Sequence, residues 1–138
     1  MENTLAQVEI IRTMGITAGP LRADLKLAMI ATRDIGAVAA EALSNLQFQG
    51  KQTRELQGQR DLSMTEAATI IGKAIGEPHL QYKQLPDEQV WEALTQLGLS
   101  LSMANLIVEM AAALNSGHMQ MLESRSTRNT TPTPTNSS

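Results

Sequence analysis

Two histidines, three arginine–carboxylate neighbours, two serines placed ahead of apolar runs and a single tyrosine are the side chains in this 138-residue chain with chemistry to offer. His79 and His118 lie far apart in sequence, and neither has a second histidine or a carboxylate at metal-ligand spacing, so no metal centre is expected. His79 follows Pro78 and reads as a solvated turn residue. His118, just past Gly117, would sit favourably at the negative end of a preceding helix. Arg33-Asp34, Arg54-Glu55 and Arg60-Asp61 each set a cation beside an anion, the combination used for proton transfer or for holding an anionic ligand. None of them follows a glycine-rich turn, so structural pairing is the expected use, with the Asp34 carboxylate on helix N–H groups and the Arg33 guanidinium on a loop. Ser63 and Ser100 lack a Gly-x-Ser-x-Gly elbow and read as helix caps rather than nucleophiles. Tyr82 reads as a half-buried strand residue. The absence of cysteine excludes disulfides, thiolate catalysis and Cys-based zinc sites.

Phosphate binding needs a turn that exposes backbone N–H groups at a helix start. Neither a G-x-G-x-x-G nor a G-x-x-x-x-G-K pattern occurs here. With no cradle and no catalytic set, the residues disclose an architecture more readily than an activity. An apolar share of 42% and this length fit one globular domain. Its aromatics are only Phe48, Tyr82 and Trp91, whereas Met appears eight times. Met and Ala fill space without strongly specifying it, so closely packed helices of modest stability are expected. A partner surface is the other explanation for the methionines. The net charge of −3 comes with no basic run, which argues against nucleic-acid binding. Met1-Glu2-Asn3-Thr4 does not resemble a secretory leader, and no apolar run approaches the roughly 20 residues that span a bilayer. A soluble cytoplasmic protein is expected.

The elements that must position these residues follow from periodicity. Leu5, Val8, Ile11 and Met14 share one face of a helix over residues 3–14, with Gly15 as its stop. Residues 16–21 and 27–31 are short β candidates, read as a hairpin across Arg22-Ala23-Asp24. Thr32 is placed to cap the next helix, which has Asp34 in its first turn and an apolar stripe of Ile35, Val38, Ala39, Ala42, Leu43 and Leu46. Residues 52–56 read as a polar strand near a sheet edge. Ser63-Met64-Thr65-Glu66 has the form of a capping box, and Gly76 and Pro78 end the helix it opens. Leu80, Tyr82 and Leu85 read as a strand. Pro86-Asp87 opens a helix with Val90, Trp91, Leu94 and Leu97 inward. Ser100 caps the last one, whose seam is Met103, Leu106, Ile107, Met110 and Leu114. That seam reads as core packing, a dimer surface or the wall of a ligand lobe. The Ser/Thr/Pro-rich residues 124–138 are expected to be disordered, a floppy terminus or a modification target. Strand-like runs feeding helices argue for an α/β fold.

Three runs taken together resemble one family: Met29-Ile30-Ala31-Thr32-Arg33-Asp34-Ile35-Gly36, Arg54-Glu55-Leu56-Gln57-Gly58-Gln59-Arg60-Asp61-Leu62-Ser63, and Asn129-Thr130-Thr131-Pro132-Thr133. In this order and spacing they are similar to the C-terminal half of NmrA-like proteins, atypical members of the short-chain dehydrogenase/reductase superfamily. Met1-Glu2-Asn3 is similar to the run that opens a helix after about the fifth strand of those proteins. The resemblance implies an α/β fold, a partial Rossmann-type unit with a C-terminal helical substrate lobe, over residues 1–123. It implies an NAD(P)-binding lineage of quinone and dye reductases or redox-sensing regulators that bind other proteins. It also places Asn3 near the nicotinamide end of the cofactor, although cap chemistry suffices to explain an Asn there and is the preferred reading. The superfamily's Tyr-x-x-x-Lys pair is absent, since position 86, four after Tyr82, is Pro86. The glycine-rich dinucleotide turn of the family belongs to its N-terminal half. The expectation is therefore a truncated, catalytically silent lobe that holds no cofactor alone. A self-associating or protein-binding module is the alternative, with a homo-oligomer or a missing N-terminal half as the partner. A small complete NAD(P)H-dependent reductase ranks last.

Overall fold

A computed structural model describes residue 5 and residues 7–46 and 48–133; Asn3, the start of the first expected helix and residues 134–138 lie outside them. The element order is α1 (Val8–Met14), β1 (Ile16–Gly19), β2 (Lys26–Leu27), α2 (Thr32–Asn45), β3 (Leu62–Ser63), α3 (Met64–Ile75), β4 (Gln81–Gln84), α4 (Asp87–Gln96) and α5 (Leu101–Asn115). Among the described residues the strands form two separate pairs, β1 parallel to β4 and β2 antiparallel to β3. No described helix is long and apolar enough to cross a membrane.

The chain is mixed α/β, as its alternation predicts. Gly15 closes α1 in the left-handed conformation that suits glycine, with its N–H on the Ile11 carbonyl at 2.9 Å. The box at Ser63 forms in full. The Glu66 N–H donates to Ser63 Oγ at 3.1 Å, and the Ser63 N–H donates to Glu66 Oε2 at 2.8 Å. Ser100 Oγ accepts from the Met103 N–H and starts α5.

Three local expectations are corrected. Residues 16–21 and 27–31 do not form a hairpin. The edge of β1 is taken by β4, with Thr17 opposite Tyr82, and β2 instead pairs with β3. Residues 52–56 are not a strand, because a ladder needs a neighbour and only Gln57 finds one, in a bridge to Thr130. Thr32 does not cap α2; Ala31 holds that position and makes no side-chain cap bond.

The core is small and built from small residues. Ala18, Ala31, Ala68, Ala104 and Ala111 are buried beside Leu62, Leu80 and Val90. Helices α4 and α5 pack together through Val90 and the Ala104/Ala111 face, and Trp91 Nε1 donates to Asn105 Oδ1 at 2.9 Å across them. This turns the expected seam of α5. Ala104 and Ala111 face inward while Met103, Leu106 and Met110 face out. The stripe on α2 is likewise uncovered, with Leu43 67% exposed.

The larger correction concerns residues 124–133, which are held by specific hydrogen bonds rather than disordered, with Asn129 and Thr131 buried. Asn129 is 2% exposed, and its side chain accepts from the Ser126 N–H at 2.8 Å and donates to the Ser124 carbonyl at 3.0 Å. The Gln57 N–H donates to the Asn129 carbonyl, and the Thr131 N–H returns a bond to the Gln57 carbonyl. Thr133 ends the strap on α2, its N–H and hydroxyl both donating to the Asp34 carboxylate at 3.0 and 2.6 Å. Composition predicts disorder here because the segment has little apolar surface to bury. It docks because each buried polar atom has a specific partner.

At Gly72 a Cβ would stand 2.4 Å from the Glu77 carbonyl oxygen and 2.8 Å from Leu80 Cβ. Gly72→Ala is therefore expected to lower the denaturant-derived stability by about 1–3 kcal/mol; an unchanged midpoint would mean the turn yields freely. The Thr133 hydroxyl is the main influence holding the Asp34 carboxyl below its ordinary value, with the Thr133 N–H adding to it. A depressed carboxyl stabilises above the unfolded value of about 4 and loses that contribution as pH falls through the lowered folded value. Exchange protection of the Thr133 amide should consequently collapse in that acidic window, and Asp34→Asn should remove the pH dependence.

Candidate functional site

Parallel strands leave their carboxyl ends as the natural place for a ligand. At the end of β1, where Gly19 leads into Pro20 and Leu21, lies a cavity of about 400 Å³. Its far wall is α3, through Met64, Ala67, Ala68 and Ile71, and its roof is the segment from Leu27 to Ile30. Among the described residues none of the lining side chains is charged; the polar ones are Gln7, Thr17 and Tyr82. The size falls within the ordinary range for small-molecule sites.

The polar groups are fixed by the strand end. The Ala18 N–H donates to Gln7 Oε1 at 2.9 Å. Thr17 Oγ1 donates to the Gln81 carbonyl at 3.3 Å, and the Tyr82 hydroxyl donates to the Leu21 carbonyl at 2.9 Å. Gly19 makes the last bond possible, since a Cβ there would stand 3.1 Å from the Tyr82 oxygen. Asn115, at the end of α5, holds the same loop from the other side. It accepts from the Arg22 N–H at 2.8 Å and donates to the Pro20 carbonyl at 2.9 Å. Burial pushes the Tyr82 phenol above its ordinary value, so near neutrality it is a neutral hydroxyl.

The residues with chemical promise in the sequence are mostly occupied elsewhere. Asp34 binds Thr133 rather than the N–H groups of its own helix, and Arg33 Nε reaches the same threonine hydroxyl at 3.1 Å. Arg54 donates to the Arg128 carbonyl, Arg60 pairs with Glu66 at 3.2 Å, and Asp61 pairs with Arg125. Glu66 is held below its ordinary value, chiefly by the Ser63 N–H. Both arginines considered for an anion are thus engaged in holding the fold. His118 is exposed, and His79 lines a separate groove between α1 and α3 with Val8, Ile11 and Ile75. Among the described residues no group of three or more His, Asp or Glu could hold a metal ion. Asn3 lies outside the described residues. Of the described side chains with chemical promise in the sequence, only Tyr82 lines the cavity. Gln7 and Asn115 carried no signal in the sequence, because their partners, the Ala18 N–H and the loop from Pro20 to Arg22, are set beside them only by the fold.

A parallel strand pair backed by a helix, with a cavity at its carboxyl end, is a mixed α/β arrangement of the Rossmann-related kind. The chain belongs to the NmrA-like family, whose sequence profile matches residues 2–133. Its fold is similar to that of an NADPH-dependent quinone oxidoreductase from Escherichia coli, solved with NADPH, at 27% identity and a TM-score of 0.68; the match covers 84% of this chain and 40% of that one. It is also similar in fold to the Citrobacter sp. triphenylmethane reductase complexed with NADP(H), at 16% identity and a TM-score of 0.65, over 88% of this chain and 40% of that one. The chain therefore spans about two-fifths of the length of these structures. Comparison with curated proteins gives no significant match.

Tyr82 is the sole tyrosine, so phenolate absorbance reports it alone. Its titration midpoint is expected above about 10. A midpoint at the ordinary value would place the ring in solvent and open the cavity wall.

Proposed function

We propose that these residues form the substrate-holding lobe of an NAD(P)H-dependent reductase, with the dinucleotide phosphates held by residues other than these. The observation that carries this reading is the uncharged cavity at the end of β1. The NADPH and NADP(H) complexes of the structures similar in fold support it. No glycine-rich turn of the dinucleotide type occurs in the sequence, which supports the division of labour. Asn3 facing the nicotinamide end belongs to this reading through the family resemblance, as does a cytoplasmic location. Alone, the lobe is catalytically silent. NADPH titrated into the chain should give no saturable fluorescence change, while menadione, a naphthoquinone, should bind saturably. Ala67→Phe, which fills the cavity, should abolish menadione binding. Micromolar NADPH binding overturns the division of labour, and absence of menadione binding overturns the substrate-lobe reading.

The uncovered faces favour a second reading, a self-associating or protein-binding module. Met103, Leu106 and Met110 form one exposed stripe on α5, and Ile35, Leu43 and Leu46 are exposed along α2 and its end. Contiguous exposed apolar surface of this kind marks interaction sites. Sedimentation should then show concentration-dependent assembly that Leu106→Glu weakens; a monomer at every concentration counts against it.

A further inference from the structure

We infer that Gln7 is the polar anchor of the cavity, its side-chain Nε2 donating to a carbonyl oxygen of an uncharged ring-shaped ligand. This rests on the substrate-lobe reading and goes beyond it by assigning a specificity-determining residue.

The orientation of the Gln7 amide is set by β1. The Ala18 N–H needs an acceptor and finds Oε1 at 2.9 Å, so the oxygen end of the amide faces the strand. The nitrogen end, with two N–H donors, is then the hydrogen-bonding group that Gln7 has left, and it has no acceptor among the described residues. The other polar side chains of the cavity have committed their hydroxyl protons, Thr17 to the Gln81 carbonyl and Tyr82 to the Leu21 carbonyl. Among the described lining side chains, Gln7 alone offers a donor. A matching ligand presents an acceptor there.

The remaining walls narrow the class further. No described lining side chain carries charge, so a cationic dye or a carboxylate would be desolvated without a counter-charge. Met29 and Met64 bring thioethers to the cavity, and sulfur packs favourably on aromatic and quinonoid rings. A neutral ring bearing a carbonyl oxygen satisfies all three conditions.

The test compares menadione with 2-methylnaphthalene, the same ring system without carbonyl oxygens, by equilibrium dialysis against the wild-type chain, Gln7→Glu and Gln7→Leu. Gln7→Glu keeps an oxygen for the Ala18 N–H and removes the donor, so a purely structural role for Gln7 would survive it. The expected result is that both variants weaken menadione binding about tenfold and leave 2-methylnaphthalene binding unchanged. Wild-type affinity for menadione in Gln7→Glu overturns the inference. So does an equal loss for both ligands, which would make Gln7 a strut for β1. If neither ligand binds the wild-type chain, the substrate-lobe reading itself falls, and the two failures are thereby told apart.

Discussion

Thr17 and Gln81 are 64 positions apart, yet the Thr17 hydroxyl donates to the Gln81 carbonyl, and their strands run parallel. A parallel pair cannot be closed by a tight turn, so everything from β2 to α3 has to be accommodated in the crossover. That pairing sets Tyr82 opposite Thr17 and leaves its hydroxyl beside Gly19 and on the Leu21 carbonyl. It also brings α3 against the strands, where the absence of a side chain on Gly72 permits the return through Leu80. The cavity, the loop over it and the position of Gln7 all derive from this one contact. Loop closure over such a separation carries an entropic cost that grows only slowly with length, so a few good contacts suffice to hold it.

Those contacts are unusually polar for a domain of this size. Among the described residues, five of the eight buried apolar ones are alanines. Alanine allows close approach but contributes little buried area per residue. The strap over residues 54–61 compensates with specific bonds. Glu55 accepts the Leu122 and Glu123 N–H groups at 2.9 and 2.7 Å, Gln57 reaches the Glu123 carbonyl, and Gln59 reaches the Pro132 carbonyl. Most of these bonds lie at the surface, where water can replace a lost partner and each contributes modestly; the Thr131 hydroxyl on the Gln57 carbonyl is buried, and there removing one partner leaves the other unsatisfied. The domain is consequently ordered by direction more than by bulk, which suits a scaffold that must fix the orientation of an amide beside a cavity.

The large apolar residues that the core does not use lie outside it. Leu43 and Leu106 are 67% and 55% exposed although each belongs to a well-formed helical stripe. Residues 52–56 take no regular structure and pair with no described strand, and among the described residues of this stretch only Gln57 forms a bridge. Both features coincide with a chain that matches about two-fifths of the length of the reductases it resembles in fold. Periodicity in a helix records which face is apolar, and packing decides whether anything covers it.

Local rules determined the helix limits, because their causes lie within a few residues. The Ser63–Glu66 box, the Ser100 cap and the Gly15 stop are satisfied by neighbours in sequence and appear where the residue types put them. The family, too, was legible, in three short runs and their spacing. Tertiary structure decided what depends on distant partners. The β1 edge went to β4 rather than β2, α5 turned its alanines inward rather than its methionines, and the Thr-rich terminus docked on Asp34 and Gln57. Gln7 shows the difference most simply. In the sequence it is a polar position within the expected helix over residues 3–14, and it becomes a directed donor only because an N–H eleven positions away fixes its oxygen. Hydrogen-bond direction is a property of two groups in space, so no inspection of either one alone could supply it.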